Sequence, residues 1–384
     1  MEFAGRRYDT GEAVVVACEH GRIARFSRAE AAADLPWIGP GWYDLQVNGY
    51  GGQEFSAATL TVDRVATIVS AVHAMGVTTF CPTVTTNADE DLRHALSVIA
   101  GAIDARAEVR ASVAGIHLEG PYLSALDGPR GAHARQFCRA PDWDEFRRFQ
   151  EAARGQIRLV TLSPEYDSAP AFIRQAVASG VLVAIGHTAA TGEQIRAAVD
   201  AGARLSTHLG NGAHLTLPRH PNYLWDQLAE DRLTASLIVD GHHLPPEVVQ
   251  TFVRAKGAER IVLISDLSGM AGLPPGRYRT ELCELDILPS GKLVIAGQDQ
   301  LLAAASAPIG VGISNVMRFA SVGLKTAIEM ASTQPAKLLG RDDSGLLVGA
   351  AANLTLFDLS EDASRTITVR ETIVGGESVY RSNS

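Results

Sequence analysis

Five residues stand where short apolar runs end: Glu119, His187, His208, His243 and Asp266. Two imidazoles and one carboxylate from such a set would hold a divalent cation and leave one coordination position open, as catalytic zinc sites do. Water in that position becomes a nucleophile at neutral pH. The remaining carboxylate, Asp266, can take the proton and return it. Hydrolysis is therefore the chemistry this set suits. Taken singly, each residue has a plainer reading. A histidine at a strand end is more often a hydrogen-bonded structural residue, and an aspartate there can cap the following helix. Five at the same end of successive strands are hard to explain as five accidents.

The elements that must position them recur along the chain. Eight β-branched, apolar runs lie at 41–48, 77–84, 112–119, 156–163, 181–188, 204–211, 234–241 and 260–267. Stretches of helical period separate them, at 62–76, 91–105, 168–180 and 192–203, with a further candidate at 312–332 after a β-rich excursion at 277–296. Eight strands alternating with helices predict a (β/α)8 TIM-like barrel, whose strand C-termini open onto one face. No GxGxxG follows the first strand, which sets aside the doubly wound alternative. Residues 1–38 and 344–384 read instead as short strands with glycine turns. They are expected to meet as a small β-sandwich domain built from both termini, with the barrel, 39–343, inserted between them.

Composition narrows the class. Of 384 residues, 46% are hydrophobic and 20% charged, which is ample for a packed core and excludes a disordered chain. A net charge of −9 gives no overall pull towards nucleic acid or an anionic membrane. No apolar run approaches a membrane span, and the N-terminus has no cleavable leader pattern. The four cysteines form no CxxC pair, as expected of reduced thiols in a cytoplasmic protein.

The motifs PGWYDLQVNGYGG, GIHLEGPYLS, IGHTAAT, STHLGNG, IVDGHHL and ISDLSGMAG resemble, in order, those of the N-acetylglucosamine-6-phosphate deacetylases of the amidohydrolase superfamily. The resemblance runs from about residue 39 to 272 and continues weakly into TQPAKLLG and the C-terminal tail. It implies a metal-dependent deacetylase acting on an N-acetylated amino sugar phosphate, with N-acetylglucosamine 6-phosphate the leading substrate. It implies Glu119, His187 and His208 as metal ligands, Asp266 as general base and acid, and His133 as a residue that holds and polarises the substrate carbonyl. His243, Asn211, Gly212 and Arg219 match substrate-binding positions. Arg219 sits where the family places a phosphate-binding arginine, often presented across a homodimer interface.

Two departures bear on these roles. Where many amidohydrolases carry HxH for a second metal, this chain reads Gln46-Val-Asn48, so one divalent cation per chain is expected. Zinc suits the donors best, and iron, cobalt or manganese would also fit. THLGNGAH and LPRHPNYLW replace the usual motifs where the phosphate should be read. His117 shares the inward face of its strand with Glu119 and is expected behind the ligands. His214 and His220 read as loop decoration, His20, His73 and His94 as structural, and Gly49, Gly51 and Gly52 as an anion cradle or a plain turn. Two other readings stay open: an amidohydrolase acting on an N-acyl-D-amino acid or an unphosphorylated acyl sugar, and a non-catalytic metal- or ligand-binding barrel.

Overall fold

The computed structural model describes residues 1–382, apart from 31, 33, 281 and 282 and the side chains of 299–301. The expected small-domain segments include residues 31, 33, 383 and 384, and the β-rich excursion includes 281 and 282. Those positions lie outside the described residues.

Each of the eight runs contains one strand of a single parallel sheet. In chain order they are Trp42–Val47, Val77–Thr85, Ile116–Glu119, Ile157–Leu162, Leu182–Ile185, Leu205–Ser206, Thr234–Ile238 and Ile261–Ile264. Every neighbour in the chain is a neighbour in the sheet. The first and eighth strands meet through the pairing of Val47 with Leu267. Asp44 reinforces that seam: the Ser265 backbone N–H donates to its Oδ1 and Oδ2 at 3.1 and 3.2 Å.

The helices form because their apolar residues recur on one face. In Val62–Ala74 that face is Val65, Ile68, Val69 and Val72, and the Thr61 side chain caps the start by accepting from Arg64 N–H. Gly192–Ala201 opens on a reciprocal Thr191–Gln194 capping box. These faces join the outer core around the barrel. A separate core fills the barrel interior, with Leu45, Cys81, Leu159, Ala184, Leu205, Ile238 and Val262 drawn from all strands but the third. The third strand sends polar groups inward instead, at His117 and Glu119.

The segment expected as one helix at 312–332 is two, Ile309–Ala320 and Leu324–Met330. Ser321 sits at φ 56° between them, followed by Val322 and Gly323, which favour a break over continuation. The β-rich excursion is a four-stranded antiparallel sheet, Gly276–Arg279, Glu284–Ile287, Leu293–Ile295 and Gln298–Leu302. It has its own small core of Met270, Leu285, Ile287, Leu293 and Ala303.

Strands from the two chain ends make one seven-stranded sheet. Its order is Glu377–Arg381, Ile367–Val374, Leu354–Leu359, Trp37–Pro40, Glu2–Arg7, Ala13–Glu19, Arg22–Arg28. The join between the ends is the antiparallel pair of Trp37–Pro40 with Leu354–Leu359. Among the described residues no helix is long and apolar enough to cross a membrane, and the four cysteines are unpaired.

Candidate active site

Parallel strands put all their C-terminal ends on one rim, and the five strand-end residues meet there. Glu119, His187, His208, His243 and Asp266 line one cavity of about 430 Å3, together with His133, Asn211 and Gly212. Three of them leave their strands in the left-handed region, His187 at φ 49°, His208 at φ 30° and Asp266 at φ 51°. For a non-glycine residue such a conformation costs on the order of 1–3 kcal/mol and persists where the surroundings enforce it.

At the centre, Glu119 Oε1, His187 Nε2 and His208 Nε2 form a triangle. Its sides are 3.3 Å (Glu119–His187), 3.1 Å (Glu119–His208) and 3.0 Å (His187–His208). His187 Nδ1 donates to Pro129 O at 2.8 Å, which leaves a lone pair on its Nε2. Three electron-pair donors aimed at each other, all buried, need a shared cation. Tetrahedral coordination with bonds of about 2.0–2.1 Å would separate its ligand atoms by roughly 3.3–3.4 Å, close to the observed sides. The residues therefore fit a divalent cation. His133 Nε2 lies 3.3 Å from His187 Nε2, and Glu119, His133 and His187 also satisfy the spacing of a metal group. Only His208 bonds to both Glu119 and His187, so it is the closer third member.

The electrostatics agree. Burial pushes the Glu119 carboxyl up, but the close His187 and His208 rings hold it well below the usual carboxylate range. Burial, and next the neighbouring His187, push His133 down to about 3, so it is neutral. Burial and then the Glu119 charge push Asp266 up to about 7, against the pull of His208, His243 and the Asn48 amide. A cation in the triangle would bring Asp266 back down.

Asp266 is held from one side. Gln46 Nε2 donates to its Oδ1 at 3.0 Å and to Glu119 Oε1 at 3.0 Å, and Asn48 Nδ2 donates to Asp266 Oδ1 at 2.8 Å. Sequence reasoning set Gln46 and Asn48 aside as poor ligands and missed this task. The signal available was their place on the first strand, beside the eighth. Asp240 was missed likewise. It accepts from His243 Nδ1 at 2.8 Å and from the His242 and His243 backbone N–H groups, which pins the His243 ring. His117 is buried on the inward face of the third strand, its Nε2 2.7 Å from Thr161 Oγ1. Burial holds it down to about 4.

Gly212 and Gly131 pack on His187. A Cβ on Gly212 would lie 2.7 Å from His187 Nδ1, and one on Gly131 3.2 Å from His187 Cε1. Gly51 and Gly52, at φ 63° and 84°, make the plain turn. Arg219 is exposed and does not line the cavity of its own chain.

Residues 37–379 match the amidohydrolase family. The N-acetylgalactosamine-6-phosphate deacetylase of Shewanella sp. (strain ANA-3) is 32% identical over 89% of this chain and 82% of its own length. The human N-acetylglucosamine-6-phosphate deacetylase is 32% identical over 90% of this chain and 84% of its own. Among solved structures, a variant of the N-acetyl-D-glucosamine-6-phosphate deacetylase of Mycobacterium smegmatis, in complex with N-acetyl-D-glucosamine-6-phosphate, superposes with a TM-score of 0.85. It is 32% identical, covering 98% of this chain and 99% of that one. The chain belongs to the amidohydrolase family, in the group of the N-acetylglucosamine-6-phosphate deacetylases.

Proposed function

We propose that this chain hydrolyses the N-acetyl amide of an amino sugar phosphate, N-acetylglucosamine 6-phosphate first, giving glucosamine 6-phosphate and acetate. The observation that carries the reading is the Glu119–His187–His208 triangle with Asp266 beside it on one cavity wall. Relatives matched over more than four fifths of their own length act on N-acetylated hexosamine 6-phosphates by name, of both the gluco and galacto series.

Glu119, His187 and His208 would hold one divalent cation, zinc by the chemistry of the donors. Such a cation supplies Lewis acidity towards water and the acyl oxygen. The chain's own residues do the rest. The amides of Gln46 and Asn48 occupy Asp266 Oδ1, so Oδ2 is the oxygen left to take a proton from the attacking water. Asp266 then delivers that proton to the amide nitrogen, which would otherwise leave as a strongly basic amine. His133, neutral through burial, offers a ring N–H to the acyl oxygen as it gains charge. The N–H groups of Gln46 and Asn48 point at carboxylates where a second cation would sit, which supports a single metal.

The reading extends to the assembly. An exposed Arg219 suits a homodimer in which it reaches the partner's cavity and, with Asn211 and His243, binds the phosphate. The division into a small β unit, 1–38 with 344–384, and a barrel, 39–343, is supported by the separate terminal sheet. A cytoplasmic location is supported by the cysteine usage.

Acetate release tests the reading. N-acetylglucosamine 6-phosphate, the galacto epimer, unphosphorylated N-acetylglucosamine and an N-acetyl-D-amino acid are compared with metal-loaded protein. A hexosamine 6-phosphate should be the best substrate, and chelation should abolish turnover until zinc is returned. Preference for the amino acid or the unphosphorylated sugar would overturn the phosphate reading. No turnover with any of them would leave a binding barrel.

A further inference from the structure

The loop after the sixth strand carries a histidine held in a built setting that the mechanism does not use. His214 lines the cavity. It lies two residues beyond Gly212, which packs on His187, and one before Leu215, which is 70% exposed. It therefore shares the cavity with the metal-ligand triangle and lies beside an exposed stretch of the loop. Its backbone N–H donates to Tyr223 Oη at 2.8 Å, and its Nδ1 lies 3.0 Å from the same oxygen. Tyr223 opens the short helix Tyr223–Ala229 and is only 6% exposed.

Those two contacts fix where the ring proton sits. The phenol oxygen already accepts from the backbone N–H, and its own proton needs an acceptor because the hydroxyl is buried. The His214 Nδ1 lone pair is the acceptor in reach. Were Nδ1 protonated on a neutral ring, the tyrosine proton would be left without a partner among the described residues. The neutral ring therefore carries its hydrogen on Nε2, and so does the imidazolium. In both states Nε2 is a donor, and no partner for it is recorded among the described residues. Asn211, three residues earlier on the same wall, has a buried Nδ2 that likewise lacks a partner. One cavity-lining loop thus carries two unfilled donors, a pattern that fits a group made only of acceptors.

Resting on the deacetylase reading above, we propose that His214 determines specificity for the substrate's phosphate: Tyr223 holds the ring so that Nε2–H donates to a phosphate oxygen. The loop brings this donor from its own chain, independently of Arg219.

The test compares kcat and KM on N-acetylglucosamine 6-phosphate and on unphosphorylated N-acetylglucosamine. The proteins are wild type, His214→Ala, His214→Gln, His214→Asn and Tyr223→Phe, all metal-loaded. A hydrogen bond to a charged group lost from such a site corresponds to roughly a ten- to hundredfold change. His214→Ala should raise KM for the 6-phosphate by about that factor, with kcat little changed and the unphosphorylated sugar much less affected. The Gln amide nitrogen can occupy the place of Nε2 while that of Asn mimics only Nδ1, so Gln should recover part of the loss and Asn none. Tyr223→Phe keeps the ring but frees His214, and should show a smaller loss in the same direction. Equal losses on both sugars, or no loss on either, would overturn the proposal, and rescue by Asn in place of Gln would overturn the Nε2 assignment. A wild type that does not prefer the 6-phosphate would overturn the phosphate reading on which the proposal rests, a failure visible before any variant is measured.

Discussion

Asp266 presents one oxygen to two amides and leaves the other to the cavity, so its replacement separates holding from proton transfer. Asp266→Asn keeps the size and loses the base. kcat should fall by about 10²–10⁴, with near-normal metal content by elemental analysis and KM little altered. A variant keeping more than about a tenth of wild-type kcat would put the proton on another group, and one that loses its metal would place Asp266 among the ligands. Asp44 offers a separate test, of stability. Burial outweighs its hydrogen bonds with Ser265 and Gln46 and raises it from 3.8 to about 6. Between those two pH values the folded protein keeps a proton that the unfolded chain has released. Raising the pH through the window therefore destabilises the fold, by roughly 3 kcal/mol, with no contribution below about 4 and no further change above about 6. Asp44→Asn removes this dependence. Its Tm relative to wild type should rise from pH 4 to 6 and then level off. A constant difference would mean that the three N–H contacts keep the carboxylate ionised throughout.

The barrel strands were legible because the runs are apolar and mostly buried between helices of clear period, and all eight runs hold one strand. The strand-end constellation followed from topology alone, since parallel strands share one end. What joins residues across the barrel was not legible. Gln46 and Asp266 are 220 positions apart, and no local pattern announces that an amide on the first strand will hold a carboxylate on the eighth. The break at Ser321 was missed because apolar periodicity continues through it. Nor could spacing show that Arg219 does not line the cavity of its own chain. Loop geometry carries a prediction of its own. Gly212 sits at φ 57°, and a methyl there would press within 2.7 Å of His187 Nδ1. Gly212→Ala should displace that ring from Pro129 and weaken metal affinity about 10–100-fold, read from the metal concentration that restores half of kcat. Wild-type affinity would show that the loop yields and the ring stays.

At the scale of the whole molecule, Arg219 divides two arrangements. If it serves the partner's cavity, Arg219→Ala should cost on the order of 2–4 kcal/mol in kcat/KM for the 6-phosphate. Mixing Arg219→Ala chains with Asp266→Asn chains should then restore activity that neither has alone, because a mixed dimer holds one site with both groups intact. No recovery after proven chain exchange would exclude service in trans. The terminal sheet has a different consequence, one of timing. Pro40 pairs with Leu354, so the strand Trp37–Pro40 leaves the ribosome long before its neighbour exists. At synthesis rates of about 5–20 residues per second, the open edge waits on the order of tens of seconds. Throughout that interval its unpaired N–H and C=O groups are a template for another nascent chain. A premature stop ahead of Leu354 makes the wait permanent, so such truncated products should accumulate as aggregates, not as soluble barrels lacking a decoration.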